Sequence, residues 1–207
     1  MAASSSGEIL VGPAEYPALT PQDGGIARYV HKVWSPSDDD HSMAHFFLLP
    51  LLAARSAYIV TPYFIPDRHL KRALEEQARA GVDVRLLLPG SHMENRTARW
   101  SAQNHYDDLM QAGVRIYEYA PTYLHSKFIV VDGAWSVIGS PNLNSRSRNL
   151  DEENALGIYD RQLGARLVEI FEADLGRADE VDLERWRRRG PFVKLLQRAS
   201  QLLDRQS

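Results

Sequence analysis

Residues 124–153 read LHSKFIVVDGAWSVIGSPNLNSRSRNLDEE, and the fold is decided within this stretch. Two runs rich in β-branched and aromatic residues, 126–132 and 134–140, stand on either side of Gly133. Runs of this composition, separated by one glycine, are typical of two strands joined by a tight turn. The stretch therefore predicts two neighbouring strands, each flanked by polar residues.

Four of those polar residues repeat one spacing. His125 and Lys127 are two apart, and Ser140 and Asn142 are two apart at the end of the next strand. Because residues two apart on a strand share a face, we expect all four side chains to converge on one small volume. An imidazole, an ammonium, a hydroxyl and an amide provide a nucleophile or acid and the donors that stabilise charge on phosphodiester oxygens. The set predicts phosphodiester chemistry that needs neither a metal nor a cofactor.

The same residues form a recognisable motif. His125, Lys127 and Asp132 make an H-x-K-x4-D pattern, and residues 139–142 follow as G-S-x-N. The first pattern alone is expected by chance about once per hundred sequences of this size, and the combination is much rarer. It resembles the signature of the phospholipase D superfamily. The flanking segments 61–67, 81–85 and 112–117 are similar to the C-terminal half of bacterial cardiolipin synthases, and the resemblance covers roughly residues 44–189.

The resemblance implies a two-step transfer through a phosphohistidine. His125 would be the nucleophile or the general acid, and a second motif copy would supply the other histidine. The implied catalytic residues are His125, Lys127, Asp132 and Glu153, with Asp132 orienting the motif and the strand end rather than touching substrate. The implied phosphate ligands are His125, Lys127, Ser140 and Asn142. Glu153 corresponds to the family's final glutamate, which hydrogen-bonds the partner histidine, whereas Asn144 and Asp151 depart from the family pattern.

A second complete motif is missing from the chain. The other H-x-K, at His69 and Lys71, lies in a predicted helix, where residues two apart diverge by about 200°. Three interpretations remain: the C-terminal half of a longer two-motif enzyme, a homodimer with one motif per subunit, or a half that is inactive alone. Dimeric single-motif relatives are nucleases, which makes a nuclease the alternative function, although a net charge of -3 disfavours nucleic acid as the partner.

Outside the motif, helical patterns that end in glycine alternate with strand patterns. Helices are predicted over 42–56, 68–80, 100–113 and 161–175, and an edge strand near 27–34. This order predicts an α/β fold in which a phospholipase D-like mixed β-sheet carries helices on both faces. We divide the chain into a partly irregular lead-in (1–41), a catalytic half-domain (42–178) and a basic amphipathic C-terminal segment (179–207).

Composition narrows the remaining classes of function. The chain has no cysteine, which excludes disulfides, thiolate catalysis and cysteine-ligated metals. Its longest apolar run, residues 44–54, is well short of the ~20 residues that span a bilayer, and residues 1–16 lack the features of a secretory signal.

The C-terminal segment leaves two interpretations open. Trp186 among four arginines, followed by leucines at helical spacing over 195–203, suits either binding to an anionic membrane or docking onto the domain. With the resemblance, these features predict a phosphatidylglycerol-like substrate and membrane association on the cytoplasmic side. Nucleic acid is a partner only in the nuclease alternative.

Overall fold

The computed structural model describes residues 2–3, 9–10, 26–32, 55–93, 95–144 and 153–190. The strands are β1 (Ala2–Ala3), β2 (Ile9–Leu10), β3 (Ile26–Lys32), β4 (Ser56–Val60), β5 (Phe64–Ile65), β6 (Asp83–Pro89), β7 (Arg115–Tyr119), β8 (Phe128–Val131), β9 (Trp135–Gly139), β10 (Leu143–Asn144), β11 (Glu153–Tyr159) and β12 (Ala178–Glu180). The helices are α1 (Arg68–Arg79), α2 (Arg96–Gln103), α3 (Tyr106–Gln111), α4 (Arg161–Leu175) and α5 (Leu183–Arg187).

An eight-stranded sheet forms the centre, in the order β12-β7-β6-β4-β8-β9-β11-β3. Strands β4, β6 and β7 are parallel, and the pairs outside this group are antiparallel. The predicted mixed sheet is therefore confirmed. So is the edge strand expected near residues 27–34, because β3 lies at one edge of the sheet.

Helices cover both faces of this sheet because successive side chains of a strand point to opposite faces. On one face, Ile59 of β4 packs in a buried cluster with Leu74 of α1 and Leu109 of α3. On the other face, the adjacent Val60 packs with Phe171 of α4 in a second cluster. The α/β architecture predicted from the sequence is confirmed in this respect too.

The helix ends predicted from capping residues and glycines agree with the structure at α1 and disagree with it in the next helical region. The Asp67 carboxylate caps α1 by accepting from two backbone N–H groups at 2.7 Å, and Gly81 follows the helix with φ 93°, a conformation that favours glycine. The single helix predicted over 100–113 is wrong, because the chain breaks into α2 and α3 at residues 104–105. On either side of the break, Gln103 and Tyr106 both donate to Glu118 of β7, a polar contact that an apolar pattern does not encode.

The first part of the predicted C-terminal segment packs onto the sheet and α3. Strand β12 pairs with β7, Trp186 of α5 lies 4.9 Å from Tyr106 between ring centroids, and Arg187 forms a bidentate ion pair with Asp107. These contacts agree with docking of residues 178–190 onto the domain. The leucines over 195–203 and most of the predicted helix 42–56 lie outside the described residues. Within the described ranges, no helix combines the length and apolar character needed to cross a bilayer.

Candidate active site

The polar ends of β8 and β9 meet at one edge of the sheet. Strand β8 runs antiparallel to β4, with Phe128 opposite Val60, so the residues before β8 lie beside the carboxyl end of β4. Strand β9 runs back along β8, which brings the residues after Gly139 to the same edge. The order of the strands therefore places segments 125–127 and 140–142 side by side.

The predicted convergence of His125 and Lys127 is confirmed. Lys127 Nζ lies 3.2 and 3.3 Å from the two ring nitrogens of His125 and donates to the His125 carbonyl oxygen at 3.0 Å. The expectation that both residues lie within the strand is wrong, since β8 begins at Phe128. The ladder stops there because β4, its partner, ends at Val60, shortly before Pro62, which has no amide hydrogen to donate.

An open cleft of about 770 Å³ lies over this edge. Its lining includes the four residues that the sequence predicted to converge, which we call the polar wall: His125, Lys127, Ser140 and Asn142. It also includes four apolar residues, which we call the apolar wall: Phe128, Ile138, Leu167 and Ile170. The structure thus brings an imidazole, a cation and two neutral polar groups into one cleft with a surface suited to hydrocarbon.

Glu153 is buried beside the polar wall, with 5% of its surface exposed. The Ser140 hydroxyl donates to Glu153 Oε2 and accepts from the Asn154 backbone N–H at 3.0 Å. Burial lowers the pKa of Lys127, and the negative charge of Glu153 opposes that shift. Ser140, Glu153 and Lys127 therefore form one electrostatic unit at the edge of the cleft.

Glycine at the start of the G-S-x-N motif has a steric cause. A Cβ on Gly139 would lie 2.3 Å from the Asn154 carbonyl oxygen and 2.8 Å from the Ala155 Cα, both backbone atoms. Those atoms cannot move without separating β9 from β11. Gly139 therefore permits the close approach that places Ser140 against Glu153.

Asp132 is the predicted site residue that the structure places away from the cleft. It follows the other end of β8, roughly 16 Å from Lys127 at the usual rise per residue. Its Oδ1 accepts from the backbone N–H groups of Arg55 and Ser56 at 2.7 and 2.8 Å, and its own φ is 52°. These bonds join the end of β8 to the start of β4, which agrees with an orienting role.

The second H-x-K does not form a comparable site. Lys71 lies on α1 and pairs with Glu75 and Asp108, while the His69 ring accepts from Arg68 at 3.2 Å. The prediction that this pair is not a catalytic motif agrees with these contacts.

Sequence reasoning missed two contributions to the site. The ring centroid of Tyr123 lies 5.4 Å from that of His125, and the same i, i+2 spacing that joined His125 to Lys127 could have identified it. Leu167 and Ile170 of α4 form part of the apolar wall, which depends on tertiary packing and has no local signal.

Comparison with known proteins agrees with this geometry. The family profile described as "Cardiolipin synthase, PLD-like domain" matches residues 51–175, more than half of the chain. Cardiolipin synthase 2 of Bacillus anthracis is 36% identical over 169 residues, which cover 81% of this chain and 33% of that protein. Cardiolipin synthase of Halalkalibacterium halodurans is 33% identical over 204 residues, covering 97% of this chain and 40% of that protein. The chain thus spans about a third to two fifths of the length of these relatives.

Solved structures show the same fold. Nuc from Salmonella typhimurium, a phospholipase D family member, has a TM-score of 0.62 at 18% identity, covering 75% of this chain and 97% of that one. Phosphatidylserine synthase from Haemophilus influenzae Rd KW20 has a TM-score of 0.63 at 18% identity, covering 86% of this chain and 47% of that one. With the profile match and the cleft at the ends of β8 and β9, the chain belongs to the cardiolipin synthase PLD-like domain family of the phospholipase D superfamily.

Proposed function

We propose that this chain is one motif-bearing half of a phospholipase D-type phosphatidyltransferase that acts on a phosphatidylglycerol-like phospholipid. The observation that carries the proposal is the cleft itself, whose lining combines His125 and Lys127 with the apolar wall. The enzyme would work at the cytoplasmic side of the cell membrane, where a diester phosphate and its acyl chains can enter the two sides of the cleft together.

The proposed chemistry has two displacements at phosphorus. In the first, an imidazole nitrogen bonds to phosphorus, the bond from phosphorus to the departing alcohol breaks, and a second imidazole gives that alcohol its proton. In the second, an acceptor alcohol or water loses a proton to the second imidazole and displaces the first. Lys127 and Asn142 would stabilise the charge on the non-bridging oxygens. Ser140 would contribute by holding Glu153 beside the cleft, and His125 would serve as one of the two imidazoles.

A second motif-bearing unit completes this scheme. In the described part of the chain, His125 is the imidazole of the cleft, and no carboxylate there hydrogen-bonds its ring. Glu153 is engaged by Ser140 of the same chain. We therefore propose that the other imidazole comes from a second half, supplied by a longer chain or by a second copy.

An exposed apolar surface beside the cleft supports such a partner. Ile138 of β9 lies directly opposite Leu156 of β11, and each exposes 37% of its surface. Ile170 of α4 exposes 39% and shares the cleft with Ile138. Exposed aliphatic side chains that lie together are one of the features by which an interaction surface is recognised.

The nuclease alternative is less well supported by the same cleft. A nucleic-acid groove combines several basic side chains with aromatic platforms on which bases stack. Of the described residues that line this cleft, Lys127 is the basic one besides His125, and the apolar wall is mainly aliphatic. The composition of the walls favours a lipid phosphodiester.

The decisive experiment compares two substrates. Vesicles of phosphatidylglycerol and a single-stranded DNA are each incubated in EDTA with the full chain, alone and together with an added N-terminal half of a relative, and the products are followed by mass spectrometry. We expect lipid turnover that is lost in His125→Ala and retained in His69→Ala, the matched substitution in the second H-x-K. DNA cleavage would establish the nuclease instead, and full lipid turnover by His125→Ala would exclude the proposed mechanism.

The partner is tested separately by sedimentation. We expect the wild type to associate with itself or with an added N-terminal half of a relative. Leu156→Glu, at an exposed position that does not line the cleft, should prevent that association. A strictly monomeric chain that still turns over lipid would contradict the requirement for a second half.

A further inference from the structure

The side chains of Lys127 and Tyr123 both contact the His125 ring. The Lys127 ammonium lies 3.2–3.3 Å from its ring nitrogens. The Tyr123 ring packs against it with a centroid separation of 5.4 Å and an angle of 45° between the planes. The two contacts differ in kind, since one is polar and the other is a contact between ring surfaces.

The ammonium cannot orient the imidazole for attack. Lys127 Nζ lies almost equally far from the two ring nitrogens, so it does not point along the in-plane lone pair of either one. Attack on phosphorus needs one such lone pair directed at the phosphate, and the ammonium does not select it. When a phosphate enters, Lys127 is drawn to the phosphate oxygens, and its contact with His125 ends at the moment when the ring must be aimed.

The Tyr123 contact has no such conflict. Tilted aromatic pairs with centroids 4.5–7 Å apart are favourable, and they use ring surfaces rather than nitrogen lone pairs. Tyr123 is itself half-buried and is followed by Leu124, which is fixed in the core with 6% of its surface exposed. The tyrosine ring is therefore held independently of the phosphate, whereas the His125 side chain is exposed.

We propose that Tyr123 is a positioning residue, whose ring restricts the orientations of His125 so that a ring nitrogen faces the phosphate after Lys127 has moved. The proposal rests on the function proposed above for the kinetic role of His125. The ring surface, rather than the hydroxyl, carries the effect, which makes phenylalanine a conservative replacement and leucine a disruptive one.

The first test is kinetic. With phosphatidylglycerol vesicles, Tyr123→Leu is expected to lower kcat by about two- to tenfold, the range for loss of one aromatic pair, while KM changes little. Tyr123→Phe should restore the wild-type kcat. Tyr159→Leu, at an exposed tyrosine on the far end of β11, is the matched control. Equal losses in the phenylalanine and leucine variants, or no loss in either, would overturn the proposal.

The second test needs no turnover, and so separates this inference from the proposed function. The full chain carries ¹³C-labelled histidine, and the His125 signal is assigned by its disappearance in His125→Ala. We expect a ring-current shift and a high order parameter for the His125 ring in the wild type and in Tyr123→Phe. Both should fall in Tyr123→Leu and remain unchanged in Tyr159→Leu. An unaltered order parameter in Tyr123→Leu would overturn the positioning role even if the chain turned over no lipid.

Discussion

Ser140 and Glu153 are 13 residues apart, yet the Ser140 hydroxyl donates directly to the Glu153 carboxylate. The register of β9 and β11, with Gly139 opposite Ala155, creates this contact. The same Ser140 oxygen accepts the Asn154 N–H at 3.0 Å, so its one hydrogen is directed at Glu153. The serine of the G-S-x-N motif therefore serves the buried carboxylate, in addition to facing the cleft.

Replacing Ser140 by alanine should harm both stability and activity. A hydrogen bond to a charged group contributes about 1.5–3 kcal/mol, and Glu153 is too buried for water to replace the lost donor fully. We expect Ser140→Ala to lower the free energy of unfolding by about that amount in urea titrations. Lipid turnover should fall by roughly 10- to 100-fold if the whole bond is needed in the transition state.

A double-mutant cycle shows whether the pair acts as a unit. Glu153→Leu and Ser140→Ala should together cost little more than the more harmful single change, because each removes the same bond. Strict additivity of the two losses, in stability and in kcat/KM, would mean that the serine acts on substrate independently of the glutamate.

The sequence predicted the local part of this site and missed the part that depends on register. The His125 and Lys127 convergence follows from a spacing of two, and Gly81 and Gly113 end helical patterns at positive φ of 93° and 105°. No local signal joins Ser140 to Glu153, since their contact depends on how two strands align. Comparison with a family suggested the glutamate, but with a histidine as its partner.

Two further features depend on tertiary structure and could not be predicted from the periodicity of the sequence. The helix predicted over 100–113 is interrupted where Gln103 and Tyr106 reach Glu118 on a different strand. Asp132 belongs to the motif by spacing, but its distance from Lys127 becomes evident only when β8 is seen to separate the two residues. Lys127 and Asp132 are close in the sequence, but the extended strand between them places them far apart in space.

The pKa of Lys127 predicts how activity depends on pH. Burial lowers this pKa below its ordinary 10.5, and only the charged form attracts phosphate. Activity should therefore decline with rising pH before the range of an ordinary lysine is reached. Glu153→Gln removes the charge that opposes the shift, so the decline should move to still lower pH, whereas Lys71→Ala should leave it in place. These curves come from kcat/KM measured across the alkaline range.

The same shift gives a prediction for stability. Since the unfolded chain holds the Lys127 proton more tightly, it binds more protons between the lowered pKa and 10.5, and this residue's contribution to stability rises with pH there. Below that window, the folded state carries the full penalty of the buried charge. Lys127→Met should remove this rise from the pH dependence of unfolding, and an unchanged profile would contradict the assignment.

Asp132 should matter for folding more than for chemistry. Asp132→Ala removes the acceptor for the Arg55 and Ser56 N–H groups and keeps a non-glycine residue at φ 52°. We expect a loss of about 1–3 kcal/mol in the free energy of unfolding. Asp132→Asn should lose less, because asparagine retains an oxygen acceptor and tolerates positive φ. Asp179→Ala, at an exposed aspartate of the edge strand β12, is the control.

Turnover per folded molecule then distinguishes the two roles of Asp132. A strand anchor roughly 16 Å from Lys127 should leave kcat within about twofold of the wild type once the folded fraction is corrected. A loss comparable with that of Lys127→Ala, which we expect to reach about 10²- to 10³-fold in kcat, would instead place Asp132 in the chemistry.

The apolar wall of the cleft depends on Gly164, which brings α4 against the turn between β8 and β9. A Cβ at this position would lie 2.3 Å from the Gly133 carbonyl oxygen and 2.8 Å from the Ala134 nitrogen. Both are backbone atoms of a tight turn, so the helix must move instead. We expect Gly164→Ala to lower the free energy of unfolding by about 1–3 kcal/mol, as other overpacked sites do. Gly176→Ala is the matched control, since its nearest contact would be 3.4 Å and its helical φ of -61° suits alanine.

The same substitution should also raise KM for lipid. Leu167 and Ile170 lie about one and two turns beyond Gly164, so displacement of the helix moves both of them in the apolar wall. A Gly164→Ala protein with unchanged KM would mean that α4 does not contact the acyl chains.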